Sequence, residues 1–369
     1  MNPVTCHLHA WSDDARLQQI YTGLTSLSRQ GLIHLRQSIV SNPQSIGLPQ
    51  LKSGSAHTLI ILNDSIKVLF DLTDHGSLDS SSVANVDHCF KRSYDPSSLT
   101  NLGHLTSRIH PLGLNYPVFP NRPDIHAWHR ACAFGSLKQR LQQLLRLSDP
   151  ANLWSSLPRE RHLSAPPNLD QKPKVLFLAR AWDPQDSTNI TPQQTRHYNA
   201  INETRAACIR ALRDTFGDTF TGGFSHTAFA QRHFPDALAS HPNQTSKRAY
   251  LQLLKEHPIC VTSEGLHHSI GWKMGEYVAL SKAIVSETLA FNVPGSFTDG
   301  THYLSYQDPE GCVAAVQKLI QDVPLRQSMM TQNHAYFLQH LQPDRLVAHS
   351  MNTALGKPTL LFSPTPSPA

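Results

Sequence analysis

The chain has 369 residues, of which 39% are hydrophobic and 16% charged, with a formal net charge of +5. Length and composition exclude a disordered or fibrous chain and imply a globular protein of two domains, roughly 150 to 200 residues each. The excess of cations is thin and scattered, with no Lys/Arg run longer than two, so it argues for small anionic ligands rather than for nucleic acid or a membrane surface.

Val4 to His9 reads as an opening strand, and Leu17, Ile20, Tyr21, Leu24 and Leu27 have the spacing of an amphipathic helix over 15–30. Strands are predicted at 32–35, 58–62 and 66–71, the last two separated by Asn63-Asp64-Ser65. So short a spacer predicts an antiparallel hairpin. A further strand over 86–92 and a helix over 135–147 complete a first domain, 1–150. Residues 151–173, with Pro158, Pro166, Pro167 and Pro173, read as an interdomain linker. A second α/β domain, 174–342, follows: strand 174–179, helix 201–215, strand 220–224, helix 246–256, strand 258–262, a helix from about 272, strand 283–286 and helices from Glu310 and Pro324. Residues 343–355 continue as a C-terminal helix, and 356–369, with three prolines in the last six residues, as a flexible tail. Cys6, Cys89, Cys132, Cys208, Cys260 and Cys312 lie far apart, form no CxxC and sit in apolar segments. They are expected as reduced thiols of a cytoplasmic protein. No signal-peptide order opens the chain, and no apolar run reaches the ~18 to 20 residues of a membrane span.

The densest chemistry lies in Gly265 to Ala279, where a strand end, a glycine-bearing turn with Gly265 and Gly271, and a helix N-terminus follow one another between two apolar strands. The ligand edge of a βαβ unit is at the carboxyl ends of its strands. If Ser269 caps the helix, the free backbone N–H groups there face a phosphate. Lys273 and Glu276, three apart, share a helical face, so one could meet phosphate and the other accept hydrogen bonds from sugar hydroxyls. The plainer reading of Glu276 is a solvated helix face, and of His267 and His268 a satisfied loop pair.

The segment from Lys174 to about Leu346 resembles the donor domain of group 1, glycogen-synthase-like glycosyltransferases, and residues 275–285 resemble their E-A-M-A-x-G-x-P-V-V helix and strand. Residues 71–76, 90–94 and 111–116 are similar to segments of bacterial glycosyltransferase-like proteins. The resemblance implies a GT-B fold, two Rossmann-like domains facing each other across a cleft, with the linker as hinge. It implies a cytoplasmic enzyme that moves a sugar from a UDP- or GDP-sugar, a co-substrate rather than a cofactor, to an acceptor such as a glycan, a lipid-linked sugar or a protein. The implied chemistry is metal-independent, without nucleic acid or a membrane span. Within the family's E-x7-E motif Glu276 matches the second glutamate, expected at the ribose, whereas the first falls on His268, which cannot supply an obligate negative charge. Glu264 could take over that role. Arg180, after the first strand of the second domain, matches a diphosphate-binding arginine; its plain alternative is a surface salt bridge. Lys247, Arg248 or Lys273 could replace the family's partner lysine, while Asn202, Glu203 and Arg205 read as capping and surface residues. Glu287, Thr288, Leu289 and residues 297–304 lie where a donor could be touched.

On the first domain Asp71, Asp74 and His75 sit at a strand end, where Asp74 or His75 could take an acceptor hydroxyl proton. The alternative is an ordinary Asp-His-Gly turn. Lys91 and Arg92 could bind phosphate or end a strand in solvent. His7 and His9 share a strand face without a third ligand, so no metal site is expected. Two other functions fit the same residues: a catalytically weak nucleotide-sugar-binding protein, and a sugar-nucleotide epimerase.

Overall fold

The structure, a computed structural model, describes residues 3–149, 157–186 and 190–360. The chain is a two-domain α/β protein whose units are Rossmann-like. One unit takes the chain up to Gly113, Pro117–Leu157 and everything from Gln339 onward; the other takes Leu114–Tyr116 and Pro158–Leu338.

The first unit is built on six strands: β1 (Val4–Ala10), β2 (Ile33–Ile39), β3 (His57–Leu62), β4 (Ile66–Asp71), β5 (His88–Lys91) and β6 (Ile109–Pro111), in the order β2-β1-β3-β4-β5-β6. Alternation along β1 buries Val4, Cys6 and Leu8 and leaves Thr5, His7 and His9 half-buried. The predicted hairpin is present: β3 is antiparallel to both β1 and β4, and the turn sets Asn63 and Asp64 at φ 48° and 57°. Short-chain polar residues tolerate that left-handed geometry best after glycine. The other pairings are parallel.

The helix Pro343–Ala354 belongs to this first unit and packs on the helix Gln18–Arg29. Gln19 donates to the Leu341 carbonyl at 2.9 Å and Gln30 to Asp344 at 2.8 Å. The approach is close enough that a Cβ at Gly23 would stand 2.2 Å from the Pro343 carbonyl oxygen. Gly23→Ala is therefore expected to lower unfolding free energy by about 1–3 kcal/mol through overpacking. Urea unfolding measures it, and a variant indistinguishable from the parent would refute the tight crossing.

Two sequence expectations are corrected here. Residues 158–173 are not a free linker: Arg159 and Leu163 are buried, and Ala165 is tied to Ala279 and Ser281. Residues 356–360 are not loose either, since Leu360 is 3% exposed and its N–H bonds Asn352. The remainder of the expected tail, from 361, and of the expected linker, 151–156, lies outside the described residues.

The second unit has five parallel strands: β7 (Val175–Ala179), β8 (Phe220–Phe224), β9 (Ile259–Val261), β10 (Ala283–Glu287) and β11 (Leu304–Tyr306). Their spatial order, β8-β7-β9-β10-β11, reverses direction between β7 and β9. Strands covered on both faces should be continuously apolar, and β7 and β9 are buried at every position. Helices 192–216, 272–279 and 309–321 supply the cover. Among the described residues no helix is long and apolar enough to cross a membrane.

Candidate functional site

In a doubly wound sheet, ligands bind outside the carboxyl ends of the strands where the strand order reverses. Here that is the space beyond Ala179 and Val261. Arg205, on the helix Pro192–Phe216, reaches into it from behind, 7% exposed. Its guanidinium donates to the Arg180 carbonyl, to Ser263 Oγ and to the Glu264 carbonyl, each at 2.7 Å. One side chain thus ties the end of β7 to the end of β9. Burial pulls its pKa down to about 10, with Glu287 acting in the opposite sense, so it stays charged at neutral pH. Asn202 is fully buried and clasps both the N–H and the carbonyl of Trp182 at 2.8 Å. The reading of Asn202 and Arg205 as surface residues is therefore replaced: they brace the loops.

After β9 the chain turns through Gly265, and the Gly265 N–H donates to the Ser269 carbonyl at 2.7 Å. Ser269 is buried inside this turn and does not cap the next helix; the N-cap of Trp272–Ala279 is Gly271, which offers no side chain. No side-chain cap therefore covers the first-turn N–H groups, which give this end its affinity for anions. The helix sits low because Gly275 lies against Asn115 and Tyr116, where a Cβ would come within 3.1 Å of the Asn115 carbonyl oxygen.

His267 and His268 adopt φ 60° and 58° in succession. For non-glycine residues each such conformation costs of order 1 kcal/mol and persists only where surrounding contacts hold it. One of those contacts is the bond between His268 Nδ1 and Glu264 Oε2 at 2.8 Å. The Glu264 N–H in turn donates to Glu287 Oε2 at 2.7 Å. Burial raises the Glu287 pKa, and the neighbouring Glu264 carboxylate adds to that against the hydrogen bond and Arg205. The resulting cleft is lined by residues 262–264, 268–271, 274 and 286–290.

Glu276 points elsewhere. It is 3% exposed and accepts from Lys247 Nζ at 2.5 Å and Tyr250 Oη at 2.6 Å, both on the helix Lys247–Glu256. Lys273 also lies over the Tyr250 ring, its ammonium 4.5 Å from the centroid. Burial, countered by Glu276, lowers the Lys273 pKa to about 8. Glu276 is therefore a buried partner of one ammonium and one phenol, not a solvated helix face. Arg180 is exposed and paired with Asp186 at 3.1 Å, the surface salt bridge named as its alternative.

In the first unit, Asp74 accepts from Arg92 at 2.5 Å and lies 4.0 Å from Arg16. His75 beside it is exposed. The adjacent Asp71 and Lys91, 2% and 0% exposed, form an ion pair at 3.0 Å. Lys91 and Arg92 are thus buried at strand ends instead of solvated.

No family model matches the sequence, and no curated protein does. Among solved structures the chain is similar to Anabaena HepE in complex with UDP, at 10% identity over 90% of this chain and 89% of that one, with a TM-score of 0.39. It is also similar to S. aureus MnaA with UDP, at 11% identity over 95% and 74%, TM-score 0.37. A third is UDP-GlcNAc 2-epimerase from Neisseria meningitidis bound to UDP-GlcNAc, at 12% identity over 75% and 62%, TM-score 0.37.

Proposed function

We propose that the chain is a glycosyltransferase that binds a UDP- or GDP-sugar on its second unit and passes the sugar to an acceptor. The observation that carries this reading is the meeting, at the strand-order reversal, of an uncapped helix N-terminus with the Glu264–His268 pair on loops braced by Arg205. The helix end suits a diphosphate, and the carboxylate and imidazole suit sugar hydroxyls. Gly265, Ser269 and Gly271 shape the loop around it, with Arg180 and Lys273 as cations for the phosphates. Glu276 acts by holding Lys247 and Tyr250 in place, and reaches a ribose only by exchanging one of those partners. Asp74 and His75 are the first unit's candidates for taking the acceptor's proton.

The test is thermal unfolding with UDP and GDP. A nucleotide at a hundredfold excess over its Kd should add about 2.7 kcal/mol to folded-state stability, and Glu276→Gln, checked for folding by circular dichroism, should abolish most of the gain. No stabilisation by any nucleotide would sink the reading. Product analysis with UDP-sugars then separates chemistries: slow donor hydrolysis supports transfer, whereas donor isomerisation without acceptor supports an epimerase.

A further inference from the structure

His197, in the second turn of the helix Pro192–Phe216, meets the loop after β9 at the same strand-order reversal. Its ring centroid is 4.5 Å from that of His268. Ligand atoms of His197, Glu264 and His268 all lie within 4.8 Å of one another. His197 Nε2 is shielded from solvent and makes no hydrogen bond, an expensive state for a polar ring atom. The His268 imidazole meets Glu264 through Nδ1 at 2.8 Å.

We propose that His197, Glu264 and His268 form a binding site for a divalent transition-metal cation of the zinc class. Two imidazoles and one carboxylate are a borderline-soft donor set, and three protein ligands leave a coordination position for water or a ligand oxygen. On binding, the ion takes up the orphaned His197 nitrogen and displaces the hydrogen bond between His268 and Glu264, whose proton passes through solvent to His268 Nε2, leaving Nδ1 and the carboxylate oxygen free to ligate.

The neighbouring cleft gives the site a use. Its lining contains two carboxylates, Glu264 and Glu287, and neither lysine nor arginine. The two carboxylates oppose a diphosphate approaching the helix N-terminus at Gly271, and a divalent ion on the same wall offsets their charge. This consequence rests on the nucleotide-sugar reading above; the metal site itself does not.

The experiment is titration of the full, tag-free chain with Co²⁺, followed by visible absorption, and by Zn²⁺ competition, without nucleotide. The parent should show one saturable site, and His197→Ala, Glu264→Gln and His268→Ala should each weaken it at least about tenfold. His268 is largely exposed, so its variant should fold even if another does not. Absence of saturable binding below millimolar Co²⁺ overturns the site. So does binding unchanged in all three variants, which would place the ion among others of the 22 histidines. UDP affinity is then measured with and without Zn²⁺. A gain of about tenfold or more, lost in His197→Ala, supports the charge role, and equal affinity overturns that role. UDP that never binds overturns the donor reading and leaves the Co²⁺ result standing.

Discussion

Arg205→Met should remove roughly 2–6 kcal/mol of stability from the second unit, because the Arg180 and Glu264 carbonyls each lose a charged donor in a buried place at about 1–3 kcal/mol apiece. Ser263 Oγ can turn to another partner, so it contributes less. Glu287 also loses the cation that offsets part of its desolvation. Arg205→Lys keeps charge and length but cannot span three acceptors on two strand ends with one ammonium; it should recover less than half of the loss. Urea unfolding followed by far-ultraviolet circular dichroism measures both. A methionine variant within about 0.5 kcal/mol of the parent, the range of ordinary surface changes, would show that the guanidinium does not hold the loops. The same variant should lose nucleotide-induced stabilisation, since the β7 and β9 loops would no longer keep their spacing.

The parts of this architecture that sequence showed are those set by local periodicity. The hairpin of β3 and β4 follows from two short apolar, largely β-branched runs around a three-residue polar spacer. The predicted helix over 135–147 is seen at Leu137–Leu147, closed by the Ser136–Gln139 capping box. Where local pattern is diluted, less is legible. Helix 192–216 was expected only from 201, because its exposed first turns carry few apolar residues, yet Thr191, Pro192 and Gln194 spell a capping box with proline at the first helical position. Strand β6, Ile109–Pro111, is too short to show a period. Orientation at the site was less accessible still. Arg205 is buried only because residues 25 to 59 positions away converge on it, and Glu276 turns inward because Lys247 and Tyr250 arrive from another helix. The Glu264–His268 pair was within reach, being four residues apart in one loop. Its third member, His197, was not.

Asp71→Asn should destabilise the first unit by about 3–5 kcal/mol at pH 7, the cost of leaving a buried charge without its partner. Strand register sets the arrangement: Asp71 ends β4 opposite Lys91 on one side and His57 on the other. Lys91 Nζ donates to Asp71 Oδ2 at 3.0 Å, and the Thr73 N–H and hydroxyl donate to Oδ1 at 2.9 and 2.6 Å. Burial alone would raise the Asp71 pKa, but Lys91, then His57 and the hydrogen bonds, outweigh it and hold the carboxyl well below the usual carboxylate range. A carboxylate with a depressed folded pKa gives stability that is complete above its unfolded value, about 3.9, and is lost as pH falls toward the folded value. As pH falls toward the unfolded value the unfolded chain takes up a proton at Asp71 while the folded carboxyl stays ionised, so the parent loses stability that the asparagine variant, with nothing to titrate there, never had. The gap in urea midpoint between parent and Asp71→Asn should be widest near pH 7 and narrow from about pH 5 downward. A gap constant from pH 7 to pH 3 would mean that shape and hydrogen bonds, not charge, account for the loss. Adding Lys91→Met separates the two further: with the stranded ammonium gone, the double variant should be more stable than Asp71→Asn alone, because removing both members of a buried pair costs less than removing one.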